Sequence, residues 1–167
     1  DKGVRPDLNT QNMEQYLTGR LDEPGVSARQ DGDVAAALEQ ADQRLEVEYF
    51  LPYLSHANME PMNSTADVRE DGCDLWSPTQ AQTRALESVK DITGLETDQI
   101  HVHPTYLGCG LGRRAQTDYD REATELSKAV GRPVKLIWTR EEDMQYDSYR
   151  PANSSRIVGA LDEHGRL

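Results

Sequence analysis

The sequence predicts an α+β fold, a mixed sheet with helices packed on it. Three observations carry that expectation. Short runs alternating apolar and polar side chains, the period of a strand, recur along the chain. Two longer runs place apolar residues three and four apart, the period of a helix. The two kinds of run are interleaved without the strict alternation that builds a doubly wound parallel sheet.

Residues 1–32 are broken by Pro6, Gly19, Pro24, Gly25 and Gly32 and read as a linker or the tail of a preceding domain, with one short helix over residues 12–17. Residues 33–167 read as part of one domain. Asp33 is placed to cap a helix over residues 34–44. Residues 45–54 alternate Leu45, Val47, Tyr49 and Leu51 with Glu46, Glu48 and Phe50, as a strand does. A strand over residues 63–69 turns at Asp71-Gly72, a hairpin signal, into another over residues 73–76. Ser77 and Pro78 then suit the N-cap and first position of a helix with Ala81, Ala85, Val89 and Ile92 on its inner stripe and Gly94 at its end. A strand over residues 100–106 follows. The next helix, residues 117–130, turns Tyr119, Ala123, Leu126 and Val130 inward and stops at Gly131, with Pro133 beyond. A buried strand over residues 134–139 and a last strand over residues 154–161 complete the set.

The chain has 167 residues, 36% apolar and 29% charged, and opens at Asp1-Lys2-Gly3 without an initiator Met, which reads as a piece of a longer protein. A formal net charge of -12 argues against nucleic acid as a partner, since phosphate backbones call for clustered Lys and Arg. No apolar run is long enough for a transmembrane helix. Cys73 and Cys109 read as free thiols, and two cysteines cannot ligate an iron–sulfur cluster by themselves.

The segment Gly108-Cys109-Gly110-Leu111-Gly112-Arg113-Arg114 lies between a predicted strand and a predicted helix. Alternating glycines allow positive φ and close approach of backbone to a ligand, and successive N–H groups can form an anion-binding nest. Two arginines follow in an otherwise acidic chain, a combination that phosphate recognition favours. The dinucleotide fingerprint requires glycine where Arg113 stands, and a P-loop requires a closing Gly-Lys-Ser/Thr, so neither common phosphate motif is present. On spacing alone, a tight strand-to-helix connection without a ligand is an equally good reading.

Five segments in order resemble one family. Residues 108–114 resemble the GGGFGRR loop of the molybdopterin-binding large subunits of the xanthine dehydrogenase/aldehyde oxidase family, isoquinoline 1-oxidoreductase beta-subunit type. Residues 49–61, ending His56-Ala57-Asn58-Met59-Glu60-Pro61, resemble its strand ending in HAxMEP. Residues 75–80, from Leu75-Trp76 to Gln80, resemble its W-x-x-x-Q segment. Residues 133–144 resemble its PVKLxWTREEDM segment, and Tyr149-Arg150-Pro151 the element after it.

The resemblance implies a molybdenum–pterin cofactor, often the molybdopterin cytosine dinucleotide, held through the pterin so that no metal ligand comes from the protein. It implies an oxidoreductase that oxidises an N-heteroaromatic compound or an aldehyde with water as oxygen source, and a separate small subunit carrying 2Fe-2S clusters. Gln80 matches the family glutamine that hydrogen-bonds an oxygen ligand of the molybdenum. Gly108, Gly110, Leu111, Gly112 and Arg113 match the loop beside the cofactor. Cys109 replaces the loop's second glycine and Leu111 its usual Phe. Ala115 stands where xanthine oxidases carry a substrate-binding glutamate, which argues against purines. The family's general base lies far toward the C-terminus of the full subunit and has no match here, so this piece alone is expected to be inactive and to carry no cofactor. Many such relatives are exported to the periplasm, which favours that compartment, with the cytoplasm as the alternative.

Other constellations read more plainly. His101 and His103 share one face of a strand but lack an evident third ligand, so hydrogen-bonded or exposed histidines are expected. His56 and Glu60 have a metal pair's spacing without the helix it needs. Glu141 and Glu142 read as a solvated helix start. The alternative function is a non-catalytic anion-binding or assembly domain.

Overall fold

The structure, a computed structural model, describes residues 8–167. Pro6 and the opening tripeptide lie outside them. Among the described residues, eleven helices and strands run α1 (Thr10–Thr18), α2 (Val34–Glu39), β1 (Gln43–Leu51), β2 (Asn63–Val68), β3 (Cys73–Ser77), α3 (Gln82–Thr93), β4 (Ile100–Pro104), α4 (Asp118–Val130), β5 (Val134–Ile137), α5 (Arg140–Gln145) and β6 (Asn153–Leu161). The fold is α+β with a mixed sheet, as the sequence predicts. By packing the chain divides into two units, residues 1–54 with 150–167, and residues 55–149.

The first unit is a two-stranded antiparallel ribbon, β1 on β6, with Gln43 opposite Leu161 and Leu51 opposite Asn153. That pairing corrects the expected length of the preceding helix: α2 stops at Glu39 because Gln43 and Arg44 already belong to the ladder. Pro52 lacks the N–H a strand must donate, which ends β1 at Leu51 rather than at Leu54. α1 is capped by Asn9, whose side chain accepts from the Asn12 N–H.

The second unit holds every buried apolar residue among those described. Its sheet runs β4-β3-β2-β5. β2 pairs antiparallel with β3 and β5, and the Asp71-Gly72 turn joins the first pair as expected. β3 pairs parallel with β4 across α3, which makes the sheet mixed. The helices α3 and α4 cover one face, with Ala66, Leu75, Ala85, Val89, Ile100 and Ala123 packed between. Gly94 and Gly131 end these helices in the left-handed conformation, at φ 75° and 63°.

Three expectations need correction. α3 begins at Gln82, not near Ser77, because Ser77 is still paired with Pro104 in the ladder and the backbone N–H of Gln80 is tied elsewhere. In α4, Leu126 and Val130 are exposed; the buried stripe is Tyr119, Asp120, Ala123, Thr124 and Ser127, so polar residues occupy places an apolar stripe would fill. β5 is a half-exposed edge strand, not a buried one. Glu141 and Glu142 do lie in the first turn of α5, where Thr139 and Glu142 form a capping box.

Candidate functional site

Residues 108–114 leave β4 and reach α4 through a single 3-10 turn, Arg113–Ala115. The backbone is left-handed at Cys109 (φ 83°), Leu111 (φ 50°) and Gly112 (φ 93°). Only Gly112 takes that conformation freely; a non-glycine residue there costs on the order of 1–3 kcal/mol. Such a loop must be fastened, and the fastening is charged and internal.

Glu60 holds the start of the loop. Its N–H donates to the Gly108 carbonyl (3.0 Å), and its carboxylate accepts from the Gly108 N–H (2.9 Å) and the Arg114 guanidinium (2.8 Å). A Cβ on Gly108 would overlap the Glu60 side chain, so glycine is required for this approach. Arg114 is fully buried and also donates to the carbonyls of Glu60 (2.8 Å) and Cys109 (3.0 Å). Its own carbonyl accepts from the Gln80 N–H (2.9 Å) and the Thr79 hydroxyl (3.2 Å).

Arg113 is equally buried. It grips Asp118 with two bonds (2.9 and 2.7 Å), its Nε lies 2.8 Å from Asp147, and its guanidinium sits 5.5 Å from the Trp138 ring centre. Burial acts to raise the Asp147 carboxyl, but bonds from the Ser55 hydroxyl, the His56 N–H and the His56 ring outweigh it and hold the group below the usual carboxylate range. The two arginines are therefore corrected from anion-facing side chains to internal props of the loop. A buried guanidinium without a carboxylate would be strongly destabilising, so each has its own.

The crest is different. Gly110 makes room for Gln80: a Cβ there would lie 2.5 Å from the Gln80 Oε1. The Gly112 N–H donates to that same oxygen (3.1 Å). Because an N–H can only donate, the amide oxygen is the end that bonds the loop, and the NH2, which also lies against Gly110, keeps its protons for another partner. Gln80 is exposed, and its nitrogen makes no hydrogen bond among the described residues. Nor do the N–H groups of Cys109, Gly110 and Leu111 take part in a backbone bond there. Leu111 is 67% exposed beside them. The crest thus offers an orientated amide donor, three backbone donors and an apolar side chain. That donor set fits a group rich in oxygen acceptors, and no three His, Cys, Asp or Glu side chains gather to hold a bare metal among the described residues.

The expected residues Gln80, Gly108, Gly110, Leu111, Gly112 and Arg113 all meet at this loop, though Arg113 from beneath. The sequence reading missed Glu60, Thr79, Asp118 and Asp147. The one available signal was charge balance: two adjacent arginines in an otherwise acidic chain need acidic partners. The histidine expectation holds. His103 is 2.6 Å from Asp74 and stacks on Trp76, and His101 is exposed. Cys73 is a buried free thiol and Cys109 an exposed one.

A profile of the molybdopterin cofactor-binding domain matches residues 20–167. The chain is 32% identical over 144 residues to the membrane-bound aldehyde dehydrogenase [pyrroloquinoline-quinone] of Gluconacetobacter polyoxogenes, covering 86% of this chain and 19% of that one. It is 28% identical over 148 residues to the isoquinoline 1-oxidoreductase subunit beta of Brevundimonas diminuta, with the same coverage of 86% and 19%. Among solved structures, the aldehyde oxidoreductase from Desulfovibrio gigas superposes with a TM-score of 0.68 at 22% identity, covering 80% of this chain and 15% of that one. The quinoline 2-oxidoreductase from Pseudomonas putida 86 gives 0.64 at 21% identity, covering 78% and 17%. These structures share the fold. The chain spans about a fifth of the length of the curated relatives it matches. With the profile matched over most of its length, the chain belongs to the molybdopterin cofactor-binding domain family.

Proposed function

We propose that this chain forms part of the cofactor site of a molybdenum hydroxylase, an oxidoreductase acting on an N-heteroaromatic compound or an aldehyde with water as oxygen source. The observation that carries the reading is the amide of Gln80, whose oxygen accepts from the Gly112 N–H and whose NH2 makes no hydrogen bond among the described residues. The bound cofactor, a molybdenum–pterin and on this reading the cytosine dinucleotide, would supply the two-electron redox chemistry. The chain's own part is to bind and orient. Gln80 offers a neutral donor that adds no charge, the backbone at Gly108, Gly110, Leu111 and Gly112 follows the cofactor closely, and Arg113 holds the loop from below. No side chain here is assigned the general base, which this reading places outside these residues.

The names of the relatives, which mention aldehyde and isoquinoline, support the substrate class, and the isoquinoline type is the finer reading we favour. A small subunit with 2Fe-2S clusters is the proposed electron acceptor, and the periplasm the proposed compartment. No described helix is long and apolar enough to cross a membrane. Alone, these 167 residues are proposed to retain no molybdenum, since the donors of the crest are exposed on one side. Elemental and pterin analysis tests both halves: the intact subunit should carry molybdenum, pterin and releasable cytidine monophosphate, and the isolated chain none. An intact subunit without pterin would leave a non-catalytic assembly domain instead.

A further inference from the structure

The arm of residues 77–80, which presents Gln80, rests on an unusual floor. Ser77 Oγ, Tyr119 OH and both carboxylate oxygens of Asp120 are buried, and none makes a well-formed hydrogen bond among the described residues, although Ser77 and Ser64 lie close enough to act on Asp120. Buried polar atoms are nearly always bonded, so four orphans gathered in one place call for a function. Asp120 is fully buried on α4, opposite the hydroxyls of Ser64 on β2 and Ser77 on β3. Tyr119, next to it, faces Ser77 and Thr79.

We propose that Asp120 is a proton-controlled positioning residue for the Gln80 arm: neutral, it shares hydrogen bonds with the hydroxyls beneath the arm, and ionised, it draws those hydroxyls to itself and shifts the arm. The significance of that shift for cofactor binding rests on the function proposed above; the shift itself does not.

The chemistry follows from donor counting. A neutral carboxyl both donates and accepts, so it can close a ring of hydroxyls; a carboxylate only accepts, so both neighbouring O–H groups must turn toward it. Ser64 divides its hydroxyl between the Trp76 carbonyl (3.3 Å) and Asp120, so the response falls chiefly to Ser77 and Tyr119. Ser77 is followed by Pro78, whose fixed φ stiffens the arm, so movement at Ser77 passes on to Thr79 and Gln80. Burial raises the Asp120 carboxyl to about 6, the Ser77 and Ser64 hydroxyls acting against the rise. The charges that bear on it are Asp118 on its own helix, which raises it further, and Arg114 in the loop, which lowers it. Tyr119 is pushed to about 12, chiefly by burial and then by Asp120, and stays a donor throughout.

The test is isotope-edited NMR of the full chain across about pH 6. The Asp120 carboxyl carbon, the Gln80 side-chain amide and the Gly112 N–H that donates to it should titrate together with a midpoint of about 6. Asp120→Asn, which mimics the neutral acid, should abolish the titration at Gln80 and Gly112 while the rest of the spectrum persists. Flat Gln80 and Gly112 signals while Asp120 titrates would overturn the proposal. So would their continued titration in Asp120→Asn, which would assign it to a histidine. Should that variant fail to fold, the wild-type midpoints decide alone: different midpoints for Asp120 and Gln80 overturn the proposal. Molybdenum content does not enter, so failure of the cofactor reading would be seen separately.

Discussion

At its root the glycine-rich loop is fastened by two buried arginines, Arg114 to a part-exposed Glu60 and Arg113 to a part-exposed Asp118 and a buried Asp147. At its crest, only a few residues away, Gly112 donates to Gln80, and the N–H groups of Gly110 and Leu111 make no backbone bond among the described residues. The root carries stability, and on the proposed function the crest carries recognition. The division is physical: a left-handed backbone at Cys109 and Leu111 can be held open for a ligand only if something stronger than local preference holds it from behind. Substitutions should therefore separate the two, with large stability effects at the root and functional effects without stability loss at the crest.

The largest effect is expected at Arg114. Arg114→Met removes the partner of the Glu60 carboxylate and of two carbonyls, and should cost about 3–5 kcal/mol. That corresponds to a fall in Tm of roughly 10 °C or more for a chain of this size. A fall of only a degree or two would place the fastening elsewhere.

Next comes pH. Burial lifts the Asp120 carboxyl to about 6 in the folded state from its ordinary 3.8, so the folded state binds the extra proton between those values. Stability from this group is full below the unfolded pKa and is lost as pH rises through about 6, by up to about 3 kcal/mol. Asp147 has the opposite sign: its pKa is lowered, so its contribution is present above the usual carboxylate range and is lost as pH falls through the lowered value. Melting curves between these limits should show wild type gaining stability on mild acidification and Asp120→Asn not. Identical pH profiles would remove Asp120 from the balance.

Gly110→Val should cost about 1 kcal/mol or less, because Gly110 holds no positive φ and the nearest atoms its Cβ would meet are the far end of the exposed Gln80 side chain. It should nevertheless displace that amide, and molybdenum per folded subunit should fall in the intact protein. A variant that melts early yet keeps full molybdenum per folded molecule would make the crest a mere turn.

The smallest stability effect belongs to Gln80→Ala, within about 0.5 kcal/mol for an exposed side chain. In the intact enzyme it should lower turnover about ten- to a hundred-fold, the worth of one hydrogen bond to a charged centre of roughly 1.5–3 kcal/mol, with cofactor content largely kept. Unchanged turnover would take Gln80 out of the site.

The crest was legible in the sequence and the root was not. Gln80 and the loop were visible because they stand in short contiguous motifs. Glu60 was passed over as half of a weak metal-like pair, since nothing local shows that it meets Gly108 and Arg114 some fifty positions on. Arg113 and Arg114 read as anion partners because adjacent basic residues after a glycine loop look exposed. The helix expected from Ser77 and Pro78 is a case of local preference overruled: the capping pattern was real, but strand pairing to β4 and the bonds to the Arg114 carbonyl claimed those residues first.

By itself, the sequence determined the α+β class, the elements whose periodicity is strong, the hairpin at Asp71-Gly72, the left-handed helix ends at Gly94 and Gly131, and the cluster of motifs that marks the family. These depend on side-chain period, on proline and glycine geometry and on contiguous residues, all of which are local. Tertiary structure alone decided which face of α4 is buried, why Asp120 lies in the interior, and how the arginines are neutralised. Those outcomes depend on desolvation and on partners distant in the chain. A charge leaves water only where the fold brings an opposite charge to meet it, and no run of neighbouring residues records that meeting.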